Sequence, residues 1–247
     1  MNIYKPGSFQ DYGNLISISS PYKVKPREDL FNLLPREFNP QSILEFGCGN
    51  GDNLKYFGSQ FNLSKDHLFG ADICHSSDSI KNEFIFTHSS IEQYLTENKK
   101  KFDLIIFSDV LEHTYNPFSI LEKIPSHLSS NAIILISVPN LQNIKYIDAI
   151  TTGNFYYDKT GLFDETHIRF FTLKSLLHYL SQQHFEIICS GWRPDLSIEN
   201  IKNNILTQLK SRPNVSLKLT VSELIVNNEN IEHYFGQQIL IAANYNE

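Results

Sequence analysis

Residues 43–54 have the sequence Ile-Leu-Glu-Phe-Gly-Cys-Gly-Asn-Gly-Asp-Asn-Leu, in which an apolar run leads into three glycines at alternate positions. Because glycine has no Cβ, Gly47, Gly49 and Gly51 allow a sharp turn and a close approach of a ligand to the backbone. A strand that leads into such a loop and then into a helix is how α/β proteins bind adenosine-containing cofactors. The stretch therefore predicts a cofactor loop, with an ordinary glycine-rich turn as the alternative.

The spacing of the glycines argues against a dinucleotide. The dinucleotide fingerprint is G-x-G-x-x-G, and Asp52 occupies the position of its third glycine. An acidic side chain at the start of a helix repels a pyrophosphate, which binds at the positive end of the helix dipole. Residues 45–51 instead resemble motif I of class I S-adenosylmethionine-dependent methyltransferases, whose cofactor has no phosphate and carries a cationic sulfonium.

This resemblance implies a set of contacts to S-adenosylmethionine and to its product, S-adenosylhomocysteine. Asp72 ends the second predicted strand, 21 positions after Gly51, where a carboxylate can accept hydrogen bonds from both ribose hydroxyls. Ser89 or Ser90 would lie near the adenine, and the alternative is that they cap the next helix. The full expected set is Glu45, Gly47, Cys48, Gly49, Gly51, Asp72, Ile73, Ser89, Ser90, Ser108 and Asp109.

Residues 108–113 follow the fourth predicted strand with the sequence Ser-Asp-Val-Leu-Glu-His. They resemble the corresponding motif of a methyltransferase group that includes quinone-ring and sugar methylating enzymes. That resemblance places backbone carbonyls near Ser108 and Asp109 beside the methionyl ammonium of the cofactor. A plain turn role for Asp109 is the alternative.

Strand-like and helix-like segments alternate along the chain. The predicted strands are residues 42–46, 67–73, 83–87, 102–107, 132–138, 185–189 and 237–243. The alternation predicts an α/β fold with a doubly wound, largely parallel seven-stranded sheet, of the Rossmann-like methyltransferase type. Thr172 is the predicted N-cap of the helix before the sixth strand.

The chain is expected to form a single methyltransferase domain over residues 1–247. Its predicted parts are an N-terminal lid or helical region at residues 1–40, a core at 41–192, a helical insertion at 193–235 and the final strand at 236–247. Two weakly amphipathic stretches, 198–209 and 217–226, motivate the insertion, which would act as a lid, an oligomer contact or decoration. Tyr22 or Arg27 is expected to close over the cofactor.

Composition excludes several classes of protein. The 247 residues carry a formal net charge of −6, which argues against a nucleic-acid partner because such proteins present a basic face. Cys48, Cys74 and Cys189 form no C-x-x-C pair, so neither a disulfide framework nor a structural zinc site is expected, and no metal ligand is assigned. No apolar run reaches membrane-spanning length. A cytoplasmic protein is expected, and its oligomeric state stays open.

The chemistry is expected at loops that leave the carboxyl ends of the fourth and fifth strands. His113 and His167 are the candidate bases for removing a proton from a hydroxyl acceptor, with structural hydrogen bonding as the alternative role. Asp164 is the candidate acid beside them. An ion pair between Asp164 and Arg169 that fixes the loop is the competing interpretation.

Residues 161–172, Gly-Leu-Phe-Asp-Glu-Thr-His-Ile-Arg-Phe-Phe-Thr, follow Val-Pro-Asn at 138–140. This pattern resembles methyltransferases that accompany glycan-assembly enzymes and modify bacterial surface polysaccharides or their precursors. It implies O-methylation of a sugar, nucleotide sugar or glycan hydroxyl, with Asn140, Tyr156, Tyr157 and Arg169 at the acceptor. The alternatives are a small aromatic acceptor such as a quinone precursor, and a non-catalytic cofactor-binding subunit that assists a partner enzyme. The two tyrosines would otherwise cover the small core of their own loop.

Overall fold

The protein is described by a computed structural model over residues 25–74 and 82–246. Tyr22, which was a candidate lid residue, lies outside these described residues. Within them the chain forms a seven-stranded, mostly parallel sheet with helices on both faces. The predicted fold class is confirmed.

Nine strands occur in the described ranges. The large sheet contains β1 (Ile43–Phe46), β2 (Leu68–Asp72), β3 (Ile85–His88), β4 (Phe102–Ser108), β5 (Leu128–Pro139), β6 (Phe185–Pro194) and β9 (Gly236–Tyr245). A separate antiparallel hairpin is formed by β7 (Val215–Lys218) and β8 (Glu223–Val226).

The α-helices alternate with these strands. They are α1 (Glu28–Phe31), α2 (Asp52–Gln60), α3 (Ile91–Glu97), α4 (Pro117–Lys123), α5 (Ile144–Thr152), α6 (Leu173–Gln182), α7 (Glu199–Leu209) and α8 (Ile231–Phe235). Short 3-10 turns occur at Lys65–His67, Leu111–His113, Ile124–His127 and Leu196–Ile198. None of the helices in the described ranges combines the length and the apolar character needed to cross a membrane.

The order of strands in the sheet is β3-β2-β1-β4-β5-β9-β6. Strands β1 to β5 are parallel to one another. Strand β9 lies between β5 and β6 and is antiparallel to both. The carboxyl ends of β1, β2, β4 and β5 therefore meet at one edge of the sheet, which is called the ligand edge here. Phe46, Asp72, Ser108 and Pro139 mark it.

Burial on both faces explains the continuous apolar sequence of β4. Ile105 and Phe107 pack into one hydrophobic cluster together with α3, α4 and α6. Leu104 and Ile106 pack into a second cluster with α1 and α2 on the opposite face. Each such fully buried side chain contributes about 1.5–3 kcal/mol relative to exposure, so the two clusters hold the sheet rigidly beneath the ligand edge.

The prediction that the insertion at 193–235 is helical is only partly right. Residues 199–209 form α7 as expected, but the stretch at 217–226 lies mostly in the β7–β8 hairpin. Alternate residues such as Val215 and Val226 are buried and their neighbours are exposed, which is the two-residue period of a strand. Helices and hairpin enclose a third small core that includes Ile205 and Phe235.

Candidate functional site

The glycine loop, residues 47–51, connects β1 to α2 at the ligand edge. Gly47, Gly49 and Gly51 have φ values of +65°, +49° and +72°, a region that favours glycine. A Cβ would meet Val110 at 2.5 Å if added to Gly47, whereas no atom of the described residues lies within 4 Å of one added to Gly49. The loop is thus packed against Val110 at Gly47 and is open at Gly49. A loop that contacts a ligand with its backbone needs such an open position.

Asp72 lies at the end of β2 directly beside this loop. Its Oδ2 accepts a hydrogen bond from the Gly49 amide at 2.8 Å, and its Oδ1 accepts one from the Cys74 amide at 2.8 Å. The next residue, Ile73, leaves 36% of its surface exposed. The structure therefore places a carboxylate and an apolar side chain next to the open position of the glycine loop.

Glu45 is the buried acid of β1. It is 1% exposed, its Oε1 accepts a hydrogen bond from Asn53 Nδ2 at 2.7 Å, and its Oε2 has no partner among the described residues. Burial raises the pKa of Glu45 to about 8, and the charge of Asp72 adds to the shift. An unpartnered buried oxygen at this place fits a ligand that brings a cationic hydrogen-bond donor, such as an amino acid ammonium.

Ser89, Ser90 and Cys48 occupy different environments in the same region. Ser90 is the N-cap of α3, where its Oγ accepts a hydrogen bond from the Gln93 amide at 3.1 Å. Ser89 is buried, its amide donates to the Asp72 carbonyl at 3.0 Å, and no residue that the structure describes forms a hydrogen bond with its Oγ. Burial raises the pKa of the Cys48 thiol, so this residue shapes the loop without ionising.

Arg27 reaches the ligand edge from the segment before α1. Its Nε and Nη2 donate to the two carboxylate oxygens of Asp29 at 2.8 and 3.0 Å. Its Nη1 donates to Asp109 Oδ2 at 2.7 Å, to Ser137 Oγ at 3.0 Å and to Ser108 Oγ at 3.2 Å. Burial acts to lower the pKa of Arg27, but the two carboxylates more than offset it and raise the pKa overall.

This network holds Asp109 in an unusual backbone conformation. Asp109 has a φ of +56°, which is rare for residues other than glycine. Its Oδ1 accepts hydrogen bonds from Gln238 Nε2 at 2.7 Å and from Ser137 Oγ at 2.9 Å. Arg27 was expected only as a lid element, and neither Ser137 nor Gln238 was expected at all, because no local motif marks them.

His113 and His167 lie next to each other although they are far apart in sequence. His113 ends the 3-10 turn after β4, His167 lies in the segment between α5 and α6, and their ring centroids are 4.9 Å apart. His113 Nδ1 lies 3.0 Å from Thr166 Oγ1, which donates to Asp164 Oδ1 at 2.6 Å. The structure therefore brings together all three candidate catalytic residues, with Thr166 linking Asp164 to His113.

Glu112 lies in the same 3-10 turn and was not assigned a role from the sequence. Its backbone carbonyl accepts hydrogen bonds from the Ile168 and Arg169 amides at 2.9 and 3.0 Å. Glu112 is 1% exposed, and neither oxygen of its carboxyl group has a hydrogen-bond partner in the part of the chain that the structure describes. Burial, reinforced by the charge of Asp109, raises the pKa of Glu112 well above its ordinary value.

The structure contradicts the prediction that Asn140 contacts the acceptor. It is fully buried, and its Nδ2 donates to the His233 and Gly236 carbonyls at 2.8 and 2.9 Å. Its Oδ1 accepts from the Gln142 amide at 3.0 Å. All of its polar atoms are occupied in fastening the end of β5 to β9, so it is not retained as an acceptor ligand.

The other expected acceptor residues are exposed. Tyr156 and Tyr157 are 73% and 62% exposed, and the Tyr157 ring contacts Phe155 edge-on at 5.6 Å. Arg169 does not pair with Asp164; its Nε donates to the Tyr115 carbonyl at 3.0 Å, and the pairing interpretation is wrong. All three side chains are accessible to an acceptor.

Comparison with known proteins identifies the family. Residues 22–190 match a family model described as a methyltransferase domain. The chain is 25% identical over 154 residues to a ubiquinone biosynthesis O-methyltransferase of Glaesserella parasuis, covering 59% of this chain and 65% of that protein. A mitochondrial protein of the same name from Dictyostelium discoideum is 24% identical over 161 residues, covering 59% and 50%. The chain thus spans about half to two thirds of these relatives.

Solved structures share the fold. An S-adenosylmethionine-dependent methyltransferase from Archaeoglobus fulgidus has a TM-score of 0.51 and 20% identity, covering 82% of this chain and 85% of that one. The Burkholderia thailandensis 1,6-didemethyltoxoflavin-N1-methyltransferase, crystallised with its substrate and S-adenosylhomocysteine, has a TM-score of 0.52 and 14% identity, covering 85% and 72%. Since the family model matches well over half of the sequence, the chain belongs to the methyltransferase-domain family and has the fold of its S-adenosylmethionine-dependent members.

Proposed function

We propose that this protein transfers the methyl group of S-adenosylmethionine to a hydroxyl group of a small polar acceptor. The observation that carries the proposal is the open glycine loop beside Asp72, together with the His113–His167 pair, which joins the turn after β4 to the segment between α5 and α6. In this reaction the acceptor oxygen forms a bond to the methyl carbon, the carbon–sulfur bond breaks, the hydroxyl proton leaves, and S-adenosylhomocysteine is released.

The residues present fit the cofactor. Asp72 offers a carboxylate for the ribose hydroxyls, Ile73 offers apolar surface for the adenine, and the free Oε2 of Glu45 fits the methionyl ammonium. Because Gly49 has no side chain, the cofactor can approach the backbone of the glycine loop closely at this position. The cofactor supplies an activated methyl group on sulfur, so the protein contributes mainly position and orientation.

The acceptor is assigned to the side of the ligand edge that contains His113 and His167. A hydroxyl acceptor must lose its proton, and a histidine within hydrogen-bond reach is the usual base near neutral pH. His113 faces solvent over part of its side chain, while desolvation and the charge of His167 lower its pKa. A lowered pKa keeps the imidazole neutral and able to accept a proton.

A sugar-type acceptor is favoured by exposed side chains in the same segment as His167, between α5 and α6. Tyr156 and Tyr157 are accessible for stacking on a sugar ring, and the Arg169 guanidinium donates only to carbonyl oxygens within the described residues. Its charge is therefore available to an anionic group such as the phosphate of a nucleotide sugar.

A small aromatic diol of the quinone-precursor type is the second candidate. It is supported by the names of the curated relatives. Phe155, Phe163 and Tyr146 also form an aromatic cluster from α5 and the segment that follows it, with Phe163 and Tyr146 at a centroid distance of 4.7 Å. A flat ring would pack against such a cluster.

Two measurements test the proposal. Calorimetric titration with S-adenosylhomocysteine is expected to show binding, and no binding by folded protein at millimolar ligand refutes the cofactor. A methyl-transfer assay that detects S-adenosylhomocysteine release is then run on two panels, nucleotide sugars with glycan fragments, and dihydroxybenzoates. Turnover with the first panel alone supports the sugar acceptor, and turnover with the second alone replaces it with the aromatic one.

A further inference from the structure

Glu112, His113 and His167 form a cluster of three potential metal ligands. One ligand atom from each residue can be chosen so that all three lie within 4.8 Å of one another. The cluster joins two loops that are distant in sequence, because His167 lies more than 50 positions after Glu112 and His113. It lies at the acceptor side of the ligand edge, separate from the glycine loop.

The cluster is held in place by its own backbone. The Glu112 carbonyl accepts hydrogen bonds from the Ile168 and Arg169 amides, on the residues directly after His167. The amide of Thr166, on the residue before His167, donates to Asp164 Oδ1 at 2.8 Å. The three ligands therefore keep their relative positions without a ligand bound, which is the preorganisation that a binding site requires.

The hydrogen bonds of the histidines leave their outer nitrogens free. His167 Nδ1 lies 3.2 Å from the Leu162 carbonyl oxygen, which can only accept, so Nδ1 carries the hydrogen. Thr166 Oγ1 donates to Asp164 and therefore accepts from His113 Nδ1. In both rings Nε2 then has the available lone pair, and the carbonyl or hydroxyl on Nδ1 is the partner that metal-binding histidines typically have.

The carboxyl group of Glu112 requires a partner that the described residues do not supply. Both of its oxygens are buried without a hydrogen bond, a condition that costs about 1–3 kcal/mol or more for an unsatisfied polar group. The hydroxyl of Tyr146, also fully buried, has no partner either. A cation bound between Glu112 and the two imidazoles would satisfy the carboxylate.

We propose that Glu112, His113 and His167 bind one divalent transition-metal ion, which in turn binds the acceptor hydroxyl. Two imidazoles and one carboxylate suit Zn²⁺, Co²⁺, Fe²⁺ or Mn²⁺, whereas Ca²⁺ and Mg²⁺ prefer oxygen ligands throughout. Three protein ligands leave further coordination positions open, as catalytic sites do. This replaces the expectation from sequence that no metal is bound. The metal site stands on the cluster alone, and only its role toward the acceptor rests on the proposed function. With the ion bound, neither histidine is the base, because each Nδ1 carries a hydrogen and each Nε2 lone pair is used by the ion. The ion itself then acidifies the hydroxyl that it binds.

A cobalt titration tests the metal site. Chelator-treated wild-type protein is titrated with Co²⁺ and followed by visible absorption and calorimetry, and saturation at one equivalent per chain is expected. Glu112→Gln and His167→Gln are expected to weaken binding by more than about 100-fold, since loss of an outer partner alone costs about 10–100-fold. His178→Gln, the same change on the exposed face of α6, is the matched control and is expected to bind as the wild type does.

Folding and cofactor binding separate the outcomes. Circular dichroism and S-adenosylhomocysteine titration are expected to match the wild type in every variant, and His113→Gln at the exposed member of the cluster replaces Glu112→Gln if that variant does not fold. Wild-type protein that binds S-adenosylhomocysteine but no Co²⁺ overturns the metal site and leaves the methyltransferase proposal intact. Equal Co²⁺ affinity in the wild type and His167→Gln overturns the ligand assignment. Methyl transfer that persists in excess chelator overturns the role of the ion at the acceptor.

Discussion

Replacing Gly51 and Gly49 by alanine separates the packing of the glycine loop from its role toward a ligand. Both residues have positive φ, so each alanine costs about 1–2 kcal/mol in backbone strain. At Gly51 the new Cβ would lie 2.1 Å from Phe84 Cε1 and 2.7 Å from its Cζ, and Phe84 is a buried core residue. At Gly49 the new Cβ would have no atom of residues 25–74 or 82–246 within 4 Å.

The contact with Phe84 sets the difference in stability between the two variants. Forcing a methyl group into a packed core costs about 1–3 kcal/mol. Gly51→Ala is therefore expected to lower the free energy of unfolding by about 2–5 kcal/mol, and Gly49→Ala by about 1–2 kcal/mol. The order reverses for cofactor affinity, because only the Cβ at position 49 points into the open space assigned to S-adenosylmethionine.

Urea denaturation measures the first quantity and calorimetric titration with S-adenosylhomocysteine measures the second. Gly49→Ala is expected to fold and to bind the product at least about 10-fold more weakly, the equivalent of 1.4 kcal/mol. Equal destabilisation by the two substitutions would show that Phe84 does not confine the loop. Wild-type affinity in Gly49→Ala would place the cofactor elsewhere.

Four further predictions address individual side chains. Asp72→Ala is expected to weaken S-adenosylhomocysteine binding by about 1.5–3 kcal/mol, the scale of a hydrogen bond to a charged group, and unchanged affinity in calorimetry removes Asp72 from the site. His167→Ala is expected to lower methyl transfer while leaving product affinity unchanged, and normal turnover excludes it from the chemistry. Because the pKa of Glu45 is raised to about 8 in the folded protein from 4.5, its contribution to stability is present below pH 4.5 and is lost as the pH rises through 8. About 3 kcal/mol of this loss falls between pH 6 and pH 9. Glu45→Gln is expected to remove it in urea denaturation at these two pH values, and an identical pH dependence contradicts it. Arg27→Met is expected to destabilise the fold by about 3–5 kcal/mol because it leaves two carboxylates without their cation. Lys159→Met removes a solvent-exposed ion pair and is expected to leave stability nearly unchanged, and equal effects of the two substitutions in the same denaturation assay refute the assignment.

The parts of the fold that depend on local sequence were predictable. The strand at 43–46, the glycine loop and α2 follow from an apolar run, alternate glycines and a helical segment, and the structure has them in that order. Thr172 caps α6 as expected, with its Oγ1 accepting from the Ser175 amide at 3.1 Å. Such features need only neighbouring residues, so a single sequence contains them.

Strand ends and the hairpin were less predictable because they are polar or exposed. Strand β5 begins at Leu128 rather than at 132, and its first residues include Ser130 and Asn131, which face solvent. An apolar pattern cannot detect a strand where no side chain is buried. The β7–β8 hairpin has only four residues in each strand, too few for a two-residue period to be distinguished from a helical one.

Side chains that act over long distances in sequence were not predictable. Arg27 contacts Ser108, Asp109 and Ser137, which are 81, 82 and 110 positions away. Asn140 is occupied by carbonyls 93 and 96 positions away. Both assignments depend on which strand ends become neighbours, and that is decided by the whole sheet.

The turn after β4 contains two acids three positions apart whose surroundings differ sharply. Asp109 is paired with Arg27 and accepts further hydrogen bonds from Ser137 and Gln238. In the described residues the carboxyl group of Glu112 has no such partner. A proton alone could neutralise Glu112, but a proton does not require two imidazoles facing the same carboxyl group with both Nδ1 atoms already bonded. That arrangement is what a metal ion requires, and it would give Glu112 the cation that Arg27 gives to Asp109.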